Sequence, residues 1–263
     1  MGSLDITDEN WLREIIEAIN GERIHIAVQG IHSVAGKGQV LYGECLARLV
    51  ERDGQVKGAE EFVPVLDIWG KMPLLDQYML KHVLDQLEAN PRVVLGCNIS
   101  TDSFSRKHWD PIYRQLTARR HLASRLVLEI TETRPLLEVQ TTQDCIDAAR
   151  RLGCLVAIDD FGSGLISIWQ LLKLHVDIVK IDASCAHDIK HYKPDDKSLY
   201  RMVALARGVA QTIVVEYIEN DVHLAEAVEA GATHVQGFYL SLPEILHYKK
   251  PVIRPYSEAA TLH

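Results

Sequence analysis

The sequence predicts an α/β fold, a modified TIM-type (β/α)8 barrel with one antiparallel strand near the N-terminus. Three observations predict it. Short apolar runs end abruptly in a polar group: Val93-Val94-Leu95-Gly96-Cys97-Asn98, Leu126-Val127-Leu128-Glu129, Leu155-Val156-Ala157-Ile158-Asp159-Asp160, Ile178-Val179-Lys180-Ile181-Asp182 and Thr212-Ile213-Val214-Val215-Glu216. Segments with helical spacing alternate with these runs, as in successive βα units. Near the N-terminus two strand-like segments follow one another across a short glycine turn, which suits an antiparallel pair. Buried parallel strands all point the same way, so polar groups at their ends converge on one rim. A closed barrel is favoured over an open doubly wound sheet because polar ends recur at nearly every strand rather than at one switch point.

The elements follow in order. Asp8 to Asn20 places Trp11, Leu12, Ile15, Ile16 and Ile19 at helical spacing and stops at Asn20-Gly21, a leading helix over about 8–20. Ile24 to Ile31 alternates and reads as a first strand; Gly36-Lys37-Gly38 turns; Val40 to Leu46 reads as a second. Helices are expected over about Ala59–Ile68, Pro73–Ala89, Trp109–Arg119, Thr142–Leu152, Ile166–Leu172, Leu199–Ala210 and Val222–Ala230, with the apolar runs between them and a last short strand at Thr233–Gln236. Gly153, Gly208 and Gly231 stand where helices would end. No low-complexity tract or linker divides the chain, so residues 1–263 read as a single domain with its core over about 24–243.

Composition narrows the class. At 263 residues and 47% apolar content the chain suits one barrel, which typically needs roughly 250 residues. A net charge of −8 argues against nucleic acid held on a basic surface, so no DNA is expected, while a small anion in a local pocket remains compatible. The five cysteines form no C-x-x-C pair and read as reduced core thiols. No window suits a membrane span or a signal peptide, which gives the expectation of a cytoplasmic protein. The 12 histidines form no H-x-x-x-H or H-E-x-x-H pattern beside the acids, against a zinc hydrolase of that type.

Chemistry is expected from Glu44, Asn98, Glu129, Asp159, Asp160 and Glu216 taken together. Each alone has a bland reading, as a boundary acid, a turn amide or a helix cap. Joined at one rim they would repel unless hard divalent cations neutralised them, and all-oxygen ligation points to Mg2+ or Mn2+. The adjacent Asp159-Asp160 pair is the natural bridge between two such ions, an arrangement suited to cutting a phosphodiester by in-line attack. Lys180 supplies a positive group to orient the attacking water or stabilise developing charge. Glu132 and Glu219, each three residues past a ligand, read as supporting or loop-anchoring groups.

With these residues in order, the sequence resembles the EAL domain family of cyclic di-GMP phosphodiesterases from about Ile24 to Pro243. The matching motifs are Glu44-Cys45-Leu46 with Arg48, Asn98-Ile99-Ser100, Glu129-Ile130-Thr131-Glu132, Asp159-Asp160-Phe161-Gly162-Ser163-Gly164, Lys180-Ile181-Asp182, Glu216-Tyr217-Ile218-Glu219 and Gln236-Gly237-Phe238. The resemblance implies a barrel with one antiparallel strand, often dimeric, that cuts cyclic di-GMP to linear pGpG with two Mg2+ or Mn2+ ions. Glu44, Asn98, Glu129 and Asp159 would hold one ion, and Asp159, Asp160 and Glu216 the other. Lys180 would touch the nucleophilic water and Gln236 would support it. Gln29, Leu46 and Arg48 would contact the ligand, and Asp182 and Glu132 would brace the loop after Asp159-Asp160. The chain departs from the family pattern at Cys45, Gly30, Leu165–Ile168, Tyr217 and Ser241-Leu242-Pro243. These changes leave the metal ligands whole and alter the substrate wall. Two other readings follow: a receptor or protein-interaction module that does not cleave, and an unrelated barrel enzyme using Lys180 with a metal-bound enolate.

Overall fold

The computed structural model describes residues 8–36, 38–131, 138–162, 167–182 and 197–246. It begins with α1, Glu9–Asn20, whose Leu12, Ile15, Ala18 and Ile19 are buried and whose N-cap Asp8 accepts a hydrogen bond from Asn10 N–H. Strands β1, Ile24–Ser33, and β2, Val40–Val50, form an antiparallel pair in which Gln29 faces Glu44 and Ile31 faces Tyr42. A short β3, Val56–Gly58, pairs with the far end of β2. Then come α2, Ala59–Ile68, α3, Met72–Ala89, β4, Leu95–Ser100, α4, Trp109–Ala118, β5, Leu126–Thr131, α5, Val139–Leu152, β6, Leu155–Phe161, and α6, Ile168–Leu171. The described chain finishes with β7, Ile178–Ile181, α7, Ser198–Ala206, β8, Thr212–Val215, α8, Asp221–Ala230, β9, His234–Val235, and β10, Glu244–Ile245.

Strands β2, β4, β5, β6, β7, β8 and β9 pair in parallel in that order. Strand β1 closes the ring, antiparallel to β2 on one edge and to β9 on the other. The barrel with one reversed strand is therefore present as the sequence predicts. Strand β10 covers the rest of the β1 edge at Ala27 and Val28, and Leu246 N–H donates to Ile26 O at 2.8 Å. No helix among the described residues is long and apolar enough to cross a membrane.

Side chains two apart on a strand share a face. Ile31, Tyr42, Val127, Ala157, Ile178 and Val214 accordingly form an apolar layer inside the barrel. Five of them stand two positions from Gln29, Glu44, Glu129, Asp159 and Glu216, and Ile178 stands two before Lys180. Apolar packing thus floors the barrel directly beneath its polar layer. The alternate residues, among them Cys45, Cys97, Leu128, Val156, Val179 and Ile213, face the helices and build the larger core. Cys45, Cys97, Cys145 and Cys154 are free and buried, as expected of core thiols.

Several boundaries differ from the sequence reading. Strand β2 runs on to Val50, past Leu46, because Ala47 and Leu49 stay buried while Arg48 interrupts the apolar pattern. Gly153 and Gly231 adopt the left-handed conformation past α5 and α8, as their places suggested. Gly208 does not, and α7 ends earlier, at Ala206. Some of the polar residues lie within strands rather than at their ends: Glu44 is mid-strand in β2, and Glu129 precedes Ile130 and Thr131 in β5, whereas Glu216 and Gln236 stand just past β8 and β9.

Candidate metal centre

Residues next to one another on a strand face opposite ways, yet Asp159 and Asp160 both serve the mouth. A β-bulge makes this possible: between the Ile158–Val179 and Phe161–Ile181 pairs, two residues of β6 oppose one of β7. Asp160 takes φ 53, a left-handed conformation that aspartate tolerates better than most residues. The extra residue turns its carboxylate back toward the mouth.

Lys180 stands at the centre, fully buried. Its Nζ lies 3.0 Å from Glu44 Oε2, 2.9 Å from Glu129 Oε2, 2.8 Å from Asp159 Oδ1 and 3.0 Å from Glu216 Oε1. Amides steady the rest. Asn98 Nδ2 donates to Glu44 Oε1 at 2.8 Å, and Gln236 Nε2 donates to Glu44 Oε2 at 2.7 Å and to Gln29 Oε1 at 3.2 Å. Gln29 Nε2 in turn donates to the Ser241 carbonyl at 2.9 Å. A chain of hydrogen bonds therefore joins the β10 side of the barrel to the central acids.

One ammonium does not balance these carboxylates in a buried layer. Burial pushes Glu129 up to about 8, Glu44 and Asp159 adding to the rise against the pull of Lys180. Burial and then the charge of Asp159 push Asp160 up to about 7. Burial also raises Asp159, and carries Glu216 well above the usual carboxylate range. Glu44 is the exception: burial works to raise it, but Lys180 and the Gln236 and Asn98 amides outweigh that and hold it low. Burial opposes the Lys180 charge, yet Asp159, Glu129, Glu216 and Glu44 together hold its pKa well above that of a free lysine. The four carboxylates thus favour the charged form of Lys180 in this arrangement.

The donor set fits hard divalent cations. Asn98 Oδ1, Glu129 Oε1 and Glu216 Oε2 are buried and accept no hydrogen bond among the described residues. Such oxygens are expensive to bury unpaired and are natural ligands for Mg2+ or Mn2+. Two triads bring one oxygen from each member within 4.8 Å of the others: Glu44, Glu129 and Asp159, then Asp159, Asp160 and Glu216. Asp159 belongs to both.

Above the acids opens a cleft of about 690 Å3, lined by Gln29, Leu46, Arg48 and Glu219 as well as by Glu44, Asn98, Asp159, Asp160, Glu216 and Gln236. The volume lies within the range typical of small-molecule sites. Val63, Met72, Leu75 and Met79 line an apolar flank, and Tyr217 and Phe238 are exposed at the mouth. Arg48 Nη1 donates to the Ala47 carbonyl at 2.9 Å. Asp182 follows β7, and its N–H donates to Phe161 O at 3.2 Å beside the bulge. Glu132, Leu165 and Ile166 lie outside the described residues.

Sequence reasoning missed Tyr42 and Asp76. Tyr42 Oη donates to Glu129 Oε2 at 3.0 Å, and Asp76 Oδ2 accepts from Ser100 N, Ser100 Oγ and Ser103 Oγ at 3.0, 2.6 and 2.7 Å. The two-residue strand period, which puts Tyr42 on the same face as Glu44, was the available signal for the first.

The EAL domain model matches residues 12–243. The chain is 26% identical over 254 residues to Cyclic di-GMP phosphodiesterase PdeF of Escherichia coli (strain K12), covering 95% of this chain and 34% of that protein. It is 26% identical over 248 residues to Signaling protein YkoW of Bacillus subtilis (strain 168), covering 92% and 31% respectively. It thus spans about a third of the length of these curated relatives. Among solved structures, the c-di-GMP complex of PaMucR phosphodiesterase superposes with a TM-score of 0.76 at 21% identity, covering 89% of this chain and 97% of that one. The FimX EAL domain from Pseudomonas aeruginosa bound to c-di-GMP gives 0.77 at 23%, covering 89% and 96%. At these identities the solved structures speak to the fold.

Proposed function

The chain belongs to the EAL domain family, and from that premise we propose that it is a metal-dependent phosphodiesterase cutting cyclic di-GMP to linear pGpG with two Mg2+ or Mn2+ ions. The observation that carries this reading is the sharing of Asp159 between two oxygen triads within one buried layer. The names of relatives such as PdeF support the substrate. Glu44, Asn98, Glu129 and Asp159 would hold one ion, and Asp159, Asp160 and Glu216 the other. Such ions, when bound, lower the pKa of a water and offset phosphate charge. Lys180 keeps four carboxylates in place and lends positive charge to the attacking water, with Gln236 bracing Glu44. In the reaction, water oxygen bonds to phosphorus, the bond from phosphorus to the 3′ oxygen breaks, and a proton passes to that leaving oxygen. Arg48 would meet a phosphate, Leu46 would pack on guanine and Gln29 would contact base or sugar. Glu219, which lines the cleft, would support these groups, and Asp182 and Glu132 would brace the segment that follows Asp160. A homodimer in the cytoplasm, open to other protein partners, completes the proposal.

Chromatography of cyclic di-GMP incubated with the protein and Mg2+ or Mn2+ tests it. pGpG should appear, and Glu44→Ala or Lys180→Ala should slow its formation by roughly 100-fold or more. Ca2+ should support turnover poorly because its looser shell misplaces the water. Dinucleotide left intact with both activating ions would overturn the enzyme reading. A receptor that binds without cleaving is favoured by one observation, the half-exposed Tyr217 directly beside Glu216 at the cleft mouth. Calorimetric binding in the absence of turnover would select it.

A further inference from the structure

The inward face of β2 carries a second polar group one layer below Glu44. Tyr42 is only 2% exposed and packs among Ile31, Val127, Ala157, Ile178 and Val214. A tyrosine so placed needs a partner for its hydroxyl. It finds Glu129 Oε2 at 3.0 Å, the same oxygen that Lys180 Nζ approaches at 2.9 Å. The other oxygen, Oε1, accepts no hydrogen bond among the described residues.

Gly96 makes the arrangement possible. A Cβ there would stand 2.6 Å from Tyr42 Cε2 and would collide with Glu129 Oε1. Gly96 pairs with Glu44 on the neighbouring strand and stands two residues before Asn98. A side chain at position 96 would therefore fill the space that the ring and the carboxylate share.

We propose that Tyr42, seated in the space Gly96 leaves open, is a positioning residue for Glu129. Its hydroxyl and the Lys180 ammonium pin Oε2, so the carboxylate presents Oε1 alone to a divalent cation. One oxygen per carboxylate suits the compact octahedral shell of Mg2+ and comparable ions better than Ca2+, whose larger shell admits bidentate carboxylates. The inference rests on the two-ion reading above and adds a residue that sets which cation the site prefers.

Tyr42→Phe keeps the ring and removes only the donor. Mn2+ and Ca2+ are titrated into both proteins by calorimetry without nucleotide. Mn2+ should bind the variant roughly 10- to 100-fold more weakly, with a smaller loss for Ca2+, so that the preference for Mn2+ falls. Unchanged Mn2+ affinity, or equal losses for the two ions as a general packing defect would give, overturns the inference alone. Wild-type protein that binds no Mn2+ overturns the two-ion reading and this inference with it. A crystal structure of the wild type with Mn2+ is a second measurement, independent of how the variant folds. Glu129 Oε1 should touch the metal while Oε2 keeps Tyr42; a bidentate Glu129, or a Tyr42 turned away, overturns the inference.

Discussion

Tyr217 holds φ 59, a left-handed conformation that costs a residue with a Cβ roughly 1–2 kcal/mol. Its neighbours impose it. Glu216 N–H donates to Ile181 O, Ile218 N–H to Gln236 O and Tyr239 N–H to Ile218 O, each at 3.0 Å. Those bonds seat Glu216 over the central lysine, and Tyr217 takes whatever conformation remains. Glycine would adopt it freely but would lose more entropy on folding. Tyr217→Gly should therefore raise the unfolding free energy by about 1 kcal/mol, read from urea midpoints. A lower midpoint would show that contacts of the ring outweigh the strain. The same scale shows what a residue list hides: Glu44, Asp159 and Glu216 announce themselves as acids after apolar runs, whereas Tyr42 reads as one more aromatic in a buried strand. Its role emerges only when Glu129, 87 positions away in sequence, comes within 3.0 Å of its hydroxyl.

Among the elements, α3 and β4 are tied by a single buried carboxylate. Asp76 on α3 accepts three hydrogen bonds through Oδ2 from Ser100 and Ser103, just past Asn98. Burial pushes its carboxyl up to about 6, the same hydrogen bonds opposing the rise. Because the folded pKa exceeds the ordinary value of 3.8, the native state keeps a proton that the unfolded chain releases between about pH 4 and 6. Stability from this group is greatest below that window and falls as pH rises through it, by roughly 3 kcal/mol, then stays level. Asp76→Asn places an uncharged acceptor at the Oδ2 position and removes the titration. The stability of the variant relative to wild type should climb from pH 4 to 6 and flatten above, in urea unfolding at stepped pH. A difference that does not change with pH refutes the assignment. Elements such as β4 and α3 were legible in the sequence because apolar runs and helical spacing are strong over their lengths. The short β3 and β10 were not, since two or three residues carry no period; only pairing with β2 and β1 defines them. The bulge at Asp159-Asp160 was equally hidden, because it arises from the register against β7 rather than from β6 itself.

At the scale of the whole molecule, the closed ring gathers more negative charge at its centre than Lys180 offsets. Strands β2, β4, β5 and β6, and the residue after β8, each contribute an oxygen to the candidate ligand set. Bound cations would therefore link most of the barrel and stabilise it by mass action, by about 2.7 kcal/mol at 100 times Kd. Lys180 opposes them by charge, because its ammonium stands within 3.0 Å of Glu44, Glu129, Asp159 and Glu216, the carboxylates that would hold them. Lys180→Ala removes the only positive partner these buried carboxylates have among the described ion pairs, and without divalent ions should destabilise the fold by about 3–5 kcal/mol. With that opposing charge gone, Mn2+ should bind the variant more tightly than the wild type and raise its melting temperature further, even though turnover is lost. Thermal melts of both proteins across a Mn2+ series measure this. If Mn2+ shifts the variant no more than the wild type, the lysine charge does not oppose the cations. If it shifts neither, the acid layer is balanced by protons instead, as the raised carboxyls of Glu129 and Asp160 would allow.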